Sequence, residues 1–176
     1  MKLKLKLYSV SDEYINYLRK YDSRVYDNKI NNRNHKRKYL GVVLKINSYK
    51  YFIPLSSPKE TDYLNGNIRS DSPSIIRMHN NKDLFGTLRL SNMIPVPNTE
   101  IEYYDIQKEK DEFYKFIVLN ELRFINKNKK IIVYYSNSLY NQKNNNVDKE
   151  FLKNTVDFNL LETKCDEWIN KKKKSV

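Results

Sequence analysis

The spacing of the apolar residues changes at Glu100, and that change most constrains what this chain can fold into. Upstream lie short runs rich in β-branched and aromatic residues, separated by turn residues. They are Tyr39–Leu44, Tyr49–Pro54, Ile75–His79, Phe85–Leu90 and Met93–Val96. Such runs fit pleated, half-buried strands. Lys2 to Leu7 alternate with period two and predict a further strand with one apolar face. Asn47-Ser48 predicts a hairpin turn. Ser11 is placed to cap a short helix running through Lys20, with Asp12 and Glu13 near its positive end. Downstream, Ile101, Tyr104 and Ile106 lead into a helical pattern. Phe113, Phe116, Ile117, Leu119, Leu122, Phe124 and Ile125 recur at helical spacing, as do Ile131, Ile132, Tyr134, Tyr135 and Leu139. No proline interrupts Gln107 to Gln142. The spacing predicts one long helix, or two with a break near Asn126-Lys127-Asn128. Phe151-Leu152 opens a short helix, and Asp157 or Asn159 caps a last one. Strands first and helices second predict an α+β fold, with helices packed on a twisted antiparallel sheet and a mainly helical C-terminal half. At 176 residues, a single domain over 1–176 is expected.

The charge is patchy. Lys and Arg number 33 against 21 Asp and Glu, for a net +12. Two clusters, Arg33, Lys36, Arg37, Lys38 and Lys171–Lys174, carry eight of those excess charges. Clustered basic charge with 13% aromatics points to a polyanionic partner, RNA or DNA ahead of a membrane. A lone cysteine, Cys165, excludes an internal disulfide, and two histidines make a multi-histidine metal centre unexpected. No apolar run approaches the ~20 residues that span a bilayer. Met1 to Tyr8 lacks the apolar centre of a signal peptide. The expectation is a reducing, cytoplasmic setting without a membrane or a cofactor.

The most suggestive stretch is Tyr51-Phe52-Ile53-Pro54-Leu55-Ser56-Ser57-Pro58-Lys59. Proline has no N–H for the ladder, so Pro54 and Pro58 predict that the strand stops there. Two hydroxyls and a lysine then stand on a stiff backbone beyond the sheet. Both an ordinary surface turn and a site that grips a phosphate fit these residue types. The polar segment from Asp22 to Lys38 leads directly into the strand at Tyr39. It reads equally as a solvated loop or a nucleic-acid loop.

Five stretches, in this order, resemble the ToxN/AbiQ family of type III toxin–antitoxin and phage-abortive-infection proteins. They are Glu13–Arg19, Tyr39–Leu44, Tyr51–Lys59, Phe85–Val96 and Asp157–Cys165. The resemblance implies a metal-free endoribonuclease on a compact, strongly twisted antiparallel sheet wrapped by helices, similar to the MazF/Kid toxins. It implies a partner too: a small repeated RNA antitoxin, folded into pseudoknots, which the protein processes and which inhibits it in a closed protein–RNA assembly. Cellular or phage RNA would be the substrate. Carried over by position, the family's Thr/Ser-Ser-Pro-Lys element falls on Ser56, Ser57, Pro58 and Lys59. The basic residue four positions before the strand glycine is Arg37, flanked by Lys36 and Lys38. A tyrosine contributes shortly before that residue in relatives. Here that spacing falls on Arg33, and the nearest tyrosine is Tyr26. Either Tyr26 folds back, or His35 or Arg33 substitutes.

These residues suggest a mechanism. The substrate's own 2′-hydroxyl attacks the phosphate, leaving a 2′,3′-cyclic phosphate and a 5′-hydroxyl. Lys59 and Arg37 would stabilise the phosphoryl charge, and Ser57 and Ser56 would position the phosphate or the 2′-hydroxyl. Lys59, Tyr26 and His35 are the candidates for proton transfer. Arg33, Lys36 and Lys38 would bind the RNA backbone, and Tyr51, Phe52 and Tyr63 would stack bases. The competing readings are a non-catalytic RNA-binding regulator and a DNA-binding repressor. For the repressor, no helix-turn-helix with a basic second helix is visible.

Overall fold

The computed structural model describes residues 5–28 and 35–175. Arg33 and the start of the first expected strand lie outside them. The chain opens with β1 (Lys6–Val10) and α1 (Asp12–Arg19). Ser11 caps α1, its hydroxyl accepting the Tyr14 N–H at 3.2 Å. β2 (Tyr39–Ile46) and β3 (Tyr49–Ser56) form a hairpin whose turn places Asn47 at φ 53°, a left-handed conformation that asparagine tolerates. From Glu60 the chain makes a 3-10 turn and a small hairpin, β4 (Tyr63–Leu64) with β5 (Asn67–Ile68). β6 (Ile75–His79), β7 (Leu84–Arg89), β8 (Ile94–Pro95) and β9 (Ile101–Tyr103) complete the strands. β9 corrects the expectation that Ile101 belongs to a helical lead-in.

All pairings are antiparallel, and the sheet order is β6-β7-β3-β2-β1-β9, with β8 also on β3. β3 does not stop at Pro54. It continues to Ser56, pairing Leu55 with Leu88 and Ser56 with Thr87. The reason lies on one edge of the strand. The Leu55 N–H reaches Lys38 O on the β2 side at 2.9 Å. By alternation, the missing N–H of Pro54 faces the other edge. That edge is where β3 leaves β8 at Phe52 and meets β7 at Leu55, so Pro54 falls between two ladders.

The helices are α2 (Glu112–Lys127), α3 (Lys129–Asn144), α4 (Glu150–Lys153) and α5 (Phe158–Lys174). Asn128 marks the expected break between α2 and α3, and the Asp157 side chain caps α5. α2 packs on β6 and β7, α3 on β2, and α5 on β8. Tyr51 and Phe52 point to opposite faces of β3, yet both are fully buried, so both faces of the strand are covered. Tyr51 donates to Glu162 Oε1 at 2.6 Å and packs against Tyr140 and Phe158. Phe52 lies against Tyr8 and under Gly41, where a Cβ would overlap its ring. These two aromatics are core and do not stack bases. Among the described residues, no helix is long and apolar enough to cross a membrane.

Candidate active site

The end of β3 delivers Ser56, Ser57, Pro58 and Lys59 to the surface. Ser56 is buried as the last residue of the strand, and its hydroxyl donates to Ser57 O at 3.3 Å. Ser57 and Lys59 are exposed. The backbone of Lys59 is held from below. Its N–H donates to Asp62 Oδ2 at 2.9 Å, and the Asp62 N–H returns a bond to Lys59 O at 2.9 Å. Asp62 is fully buried. It is gripped by Arg77, with Nε at 3.2 Å and Nη2 at 3.1 Å, and by Arg89 Nη2 at 3.1 Å. Two strands, β6 and β7, thus send guanidinium groups beneath the segment that carries the exposed lysine. Charge-assisted bonds of this kind are short and directional, and they fix the lysine's main chain.

A second loop meets this segment. Arg19 donates to Val25 O, Asn92 Nδ2 to Arg24 O at 2.8 Å, and Asn28 Nδ2 to Val10 O at 2.8 Å. These bonds pin the turn that carries Tyr26. The Tyr26 ring lies under both cations, with the Arg37 guanidinium carbon 4.7 Å and the Lys59 ammonium 5.7 Å from its centroid. Of the three residues the sequence offered for the remaining place, Tyr26 is thus the one that lies against both Arg37 and Lys59; Arg33 is outside the described residues. Arg37 is 3% exposed, and two of its N–H groups donate to main-chain carbonyls, Nε to Asp27 O at 3.0 Å and Nη1 to Leu55 O at 2.6 Å. Arg19, Tyr26, Arg37, Ser56, Ser57 and Lys59 line one open hollow.

On the other side of the Ser-Ser-Pro ridge lies a cleft of about 340 Å³ between β3 and α2. Arg37, Ser56, Ser57 and Pro58 border it too, with His35, Lys36, Lys38, Phe85, Phe113, Tyr114, Ile117 and Glu121. His35 stacks on Tyr114, ring centroids 3.8 Å apart and nearly parallel, and its Nε2 is 3.2 Å from Asp111 Oδ2. Asp111 caps α2, and the Tyr114 N–H together with His35 holds its carboxyl below the usual range. Lys38 is buried, not spread on the surface. Its ammonium donates to Lys36 O at 3.0 Å and sits 4.2 Å over the Tyr104 ring. Burial pulls it below the ordinary lysine range, against the opposing charges of Glu109 and Glu121. Burial pushes Glu121 up to about 8, with Lys38 pulling the other way.

The structure therefore brings Lys59, Ser57, Ser56, Arg37 and Tyr26 together, with His35, Lys36 and Lys38 in the adjoining cleft. Tyr63 stands on the β4–β5 hairpin and lines neither hollow. Asp62, Arg77, Arg89 and Glu121 were not singled out from the sequence. The first three converge from three separate elements and carry no local signal. Glu121 does carry one: it sits between Ile117 and Ile125 at four-residue spacing, on the apolar side of its helix. Among the described residues, no group of three or more His, Cys, Asp or Glu is arranged to hold a metal ion.

Comparison with known proteins gives the context. A family model described as toxin ToxN of type III toxin–antitoxin systems matches residues 6–166. The endoribonuclease ToxN of Pectobacterium atrosepticum is 30% identical over 163 residues, 91% of each chain. The endoribonuclease AbiQ of Lactococcus lactis subsp. lactis is 33% identical over 176 residues, covering 94% of this chain and 90% of that one. The fold matches a solved type III toxin described as inhibited by a non-coding RNA pseudoknot, with TM-score 0.78, 32% identity, and 94% and 98% of the two chains covered. It also matches AbiQ, described as a lactococcal anti-phage endoribonuclease, with TM-score 0.78, 30% identity, and 96% and 99% covered. With five ordered stretches in the sequence, a family match over nearly the whole length and the same fold in solved relatives, this chain belongs to the ToxN family of type III toxin–antitoxin toxins.

Proposed function

We propose that the protein is the endoribonuclease toxin of a type III pair and cuts RNA without a metal, at the hollow around Ser57 and Lys59. One observation carries the reading: the Tyr26 ring supports two cations at once, beside an exposed serine hydroxyl on a strand end. A phosphodiester laid across this point meets positive charge and a hydrogen-bond donor together. The 2′-oxygen of the substrate forms the new bond to phosphorus, and the bond from phosphorus to the 5′-oxygen breaks. The 2′-hydroxyl gives up a proton, the leaving 5′-oxygen gains one, and a 2′,3′-cyclic phosphate remains. Lys59 and Arg37 stabilise the charge on the phosphoryl oxygens, and Ser57 and Ser56 hold the reacting ribose and phosphate. Lys59, Tyr26 and His35 supply the proton-exchanging groups. The exposed Lys36 adds charge along the RNA path.

The partner in this reading is a small RNA antitoxin of pseudoknot repeats, cut from its precursor by the protein and held with it in a closed assembly. The setting is the cytoplasm, and one catalytic domain spans the chain. The test is direct: purified protein is incubated with end-labelled RNA, with and without EDTA. Products with cyclic-phosphate ends, formed equally in both, support the proposal. Intact RNA retained on the protein would make it a binder only, and a chelator-sensitive rate would overturn the metal-free chemistry.

A further inference from the structure

Lys36 and Lys38 stand two residues apart, and both read in the sequence as contacts for RNA phosphates. The structure separates them. Lys36 is exposed, whereas Lys38 is only 7% exposed. The Lys38 ammonium sits 4.2 Å from the centroid of the Tyr104 ring and 5.3 Å from that of Tyr114. Burial opposes its charge, and the acidic side chains of Glu109 and Glu121 favour it. Glu109 is itself fixed, accepting the Tyr104 hydroxyl at 2.8 Å and the Asp111 N–H at 3.1 Å. An ammonium walled in by two rings and faced by two carboxyls is not offered to a phosphate. Taking such a charge out of water is costly unless it is paired and its protons meet acceptors. One proton meets Lys36 O, with the nitrogen 3.0 Å away. That oxygen belongs to the peptide that joins Lys36 to Arg37. Lys38 therefore fixes the plane from which the Arg37 backbone departs. The Arg37 guanidinium is fixed at its far end by Asp27 O, Leu55 O and the Tyr26 ring.

We propose that Lys38 is a positioning residue for Arg37 and makes no contact with RNA. The inference rests on the nuclease reading, which sets Arg37 against the scissile phosphate. A cation helps a transition state most when its place is set beforehand, since nothing then has to reorganise as charge develops. Arg37 is held from both ends, its main chain by Lys38 and its side chain by the hollow. Without the ammonium, the Lys36–Arg37 peptide loses its tie, and two acidic groups lose the cation they face. A small displacement of a charge-stabilising group is enough to slow a reaction by roughly ten- to a hundred-fold.

The test compares wild type, Lys38→Met, Arg37→Met and the double variant, with circular dichroism confirming the fold. Cleavage is followed in single turnover on end-labelled RNA, and binding on a 2′-O-methyl copy that lacks the nucleophile. Lys38→Met is expected to lower the saturating rate roughly ten-fold or more, while the half-saturating protein concentration moves less than about two-fold. The plot of log affinity against log salt should keep its slope, because a lost phosphate contact would flatten it by about 0.7. In the Arg37→Met background the same substitution should change the rate by less than about two-fold, since its effect passes through the guanidinium. A slope flattened by about 0.7, a rate loss repeated in full in the Arg37→Met background, or a folded Lys38→Met with the wild-type rate overturns the proposal. Where Lys38→Met does not fold, Lys38→Met combined with Glu121→Gln, which leaves no buried carboxyl facing the missing ammonium, takes its place with the same outcomes. A wild type that leaves RNA uncut removes the nuclease reading and this inference together. A cutting wild type with any of the overturning results removes the inference alone.

Discussion

Asp62 offers the sharpest test of how the site is held. It lies fully buried, joins the Lys59 N–H to two arginines, and touches no solvent. The Arg77 and Arg89 side chains are only 6% and 8% exposed. Asp62→Ala strands both guanidinium groups without their carboxylate. Arg77 keeps its Nη1 bond to Ser70 O at 2.7 Å, and Arg89 Nε already has no partner among the described residues. Breaking a buried ion pair from one side costs about 3–5 kcal/mol. A domain of this kind has roughly 5–15 kcal/mol in all, so the variant should be folded but marginal. With a urea slope of about 2 kcal/mol/M, the midpoint should fall by about 1.5–2.5 M, read by fluorescence of the buried Trp168. The triple variant Asp62→Leu, Arg77→Met, Arg89→Met replaces the whole cluster with apolar groups and should recover most of that loss. It should still cleave RNA slowly, because the Lys59 backbone has lost its anchor while Lys59 itself is intact. An Asp62→Ala midpoint within about 0.5 M of wild type, or a stable triple variant with full activity, would refute this account of the cluster.

Other outcomes follow from the same geometry. Lys59→Ala and Ser57→Ala should each lower cleavage by roughly a hundred-fold or more with little change in urea midpoint, since both side chains are exposed; a toxic, fully active Lys59→Ala would remove the nuclease assignment. Tyr26→Leu should weaken cleavage by roughly ten-fold and leave it salt-sensitive, because each cation loses about 0.5–2 kcal/mol of ring contact; unchanged kinetics would show that the ring does not hold them. Glu121 should destabilise the protein as pH rises. Its folded value of about 8 stands above the ordinary 4.5, so stability is lost from about pH 4.5 up through about 8. Glu121→Gln should then gain almost nothing at about pH 4, roughly 3 kcal/mol at about pH 7 and roughly 5 above about pH 9, and a gain independent of pH would contradict the burial of the carboxyl. Gly41→Ala should cost about 1–3 kcal/mol in thermal or urea unfolding through overlap with the Phe52 ring, and a neutral result would mean that the ring has room to move.

Much of this was legible locally. Ser11 and Asp157 cap their helices as their side-chain chemistry directs, and Asn128 divides α2 from α3 where polar residues interrupt the apolar stripe. What sequence missed was non-local. Pro54 reads as a strand stop, yet its absent N–H faces a change of partner that only the assembled sheet creates. Tyr51 and Phe52 look like platform residues because aromatic rings serve both cores and RNA surfaces, and only helix packing decides between them. β9 is three residues long, too short for any period to register. Ser56, Ser57, Lys59 and Arg37 were named by position and Tyr26 as one alternative for the remaining place, and the structure sets these five side by side, with His35 in the adjoining cleft. The arginines under Lys59 come from strands separated from it by the β4–β5 hairpin, so no window along the chain contains them together.

That separation has a consequence for how such a protein is made. The exposed lysine is synthesised early, but the arginines that seat it arrive only with β6 and β7. A nascent chain that has not passed Arg89 holds Ser57 and Lys59 without that foundation. Translation products abandoned before Arg89 should therefore cleave RNA far more slowly than the finished polypeptide.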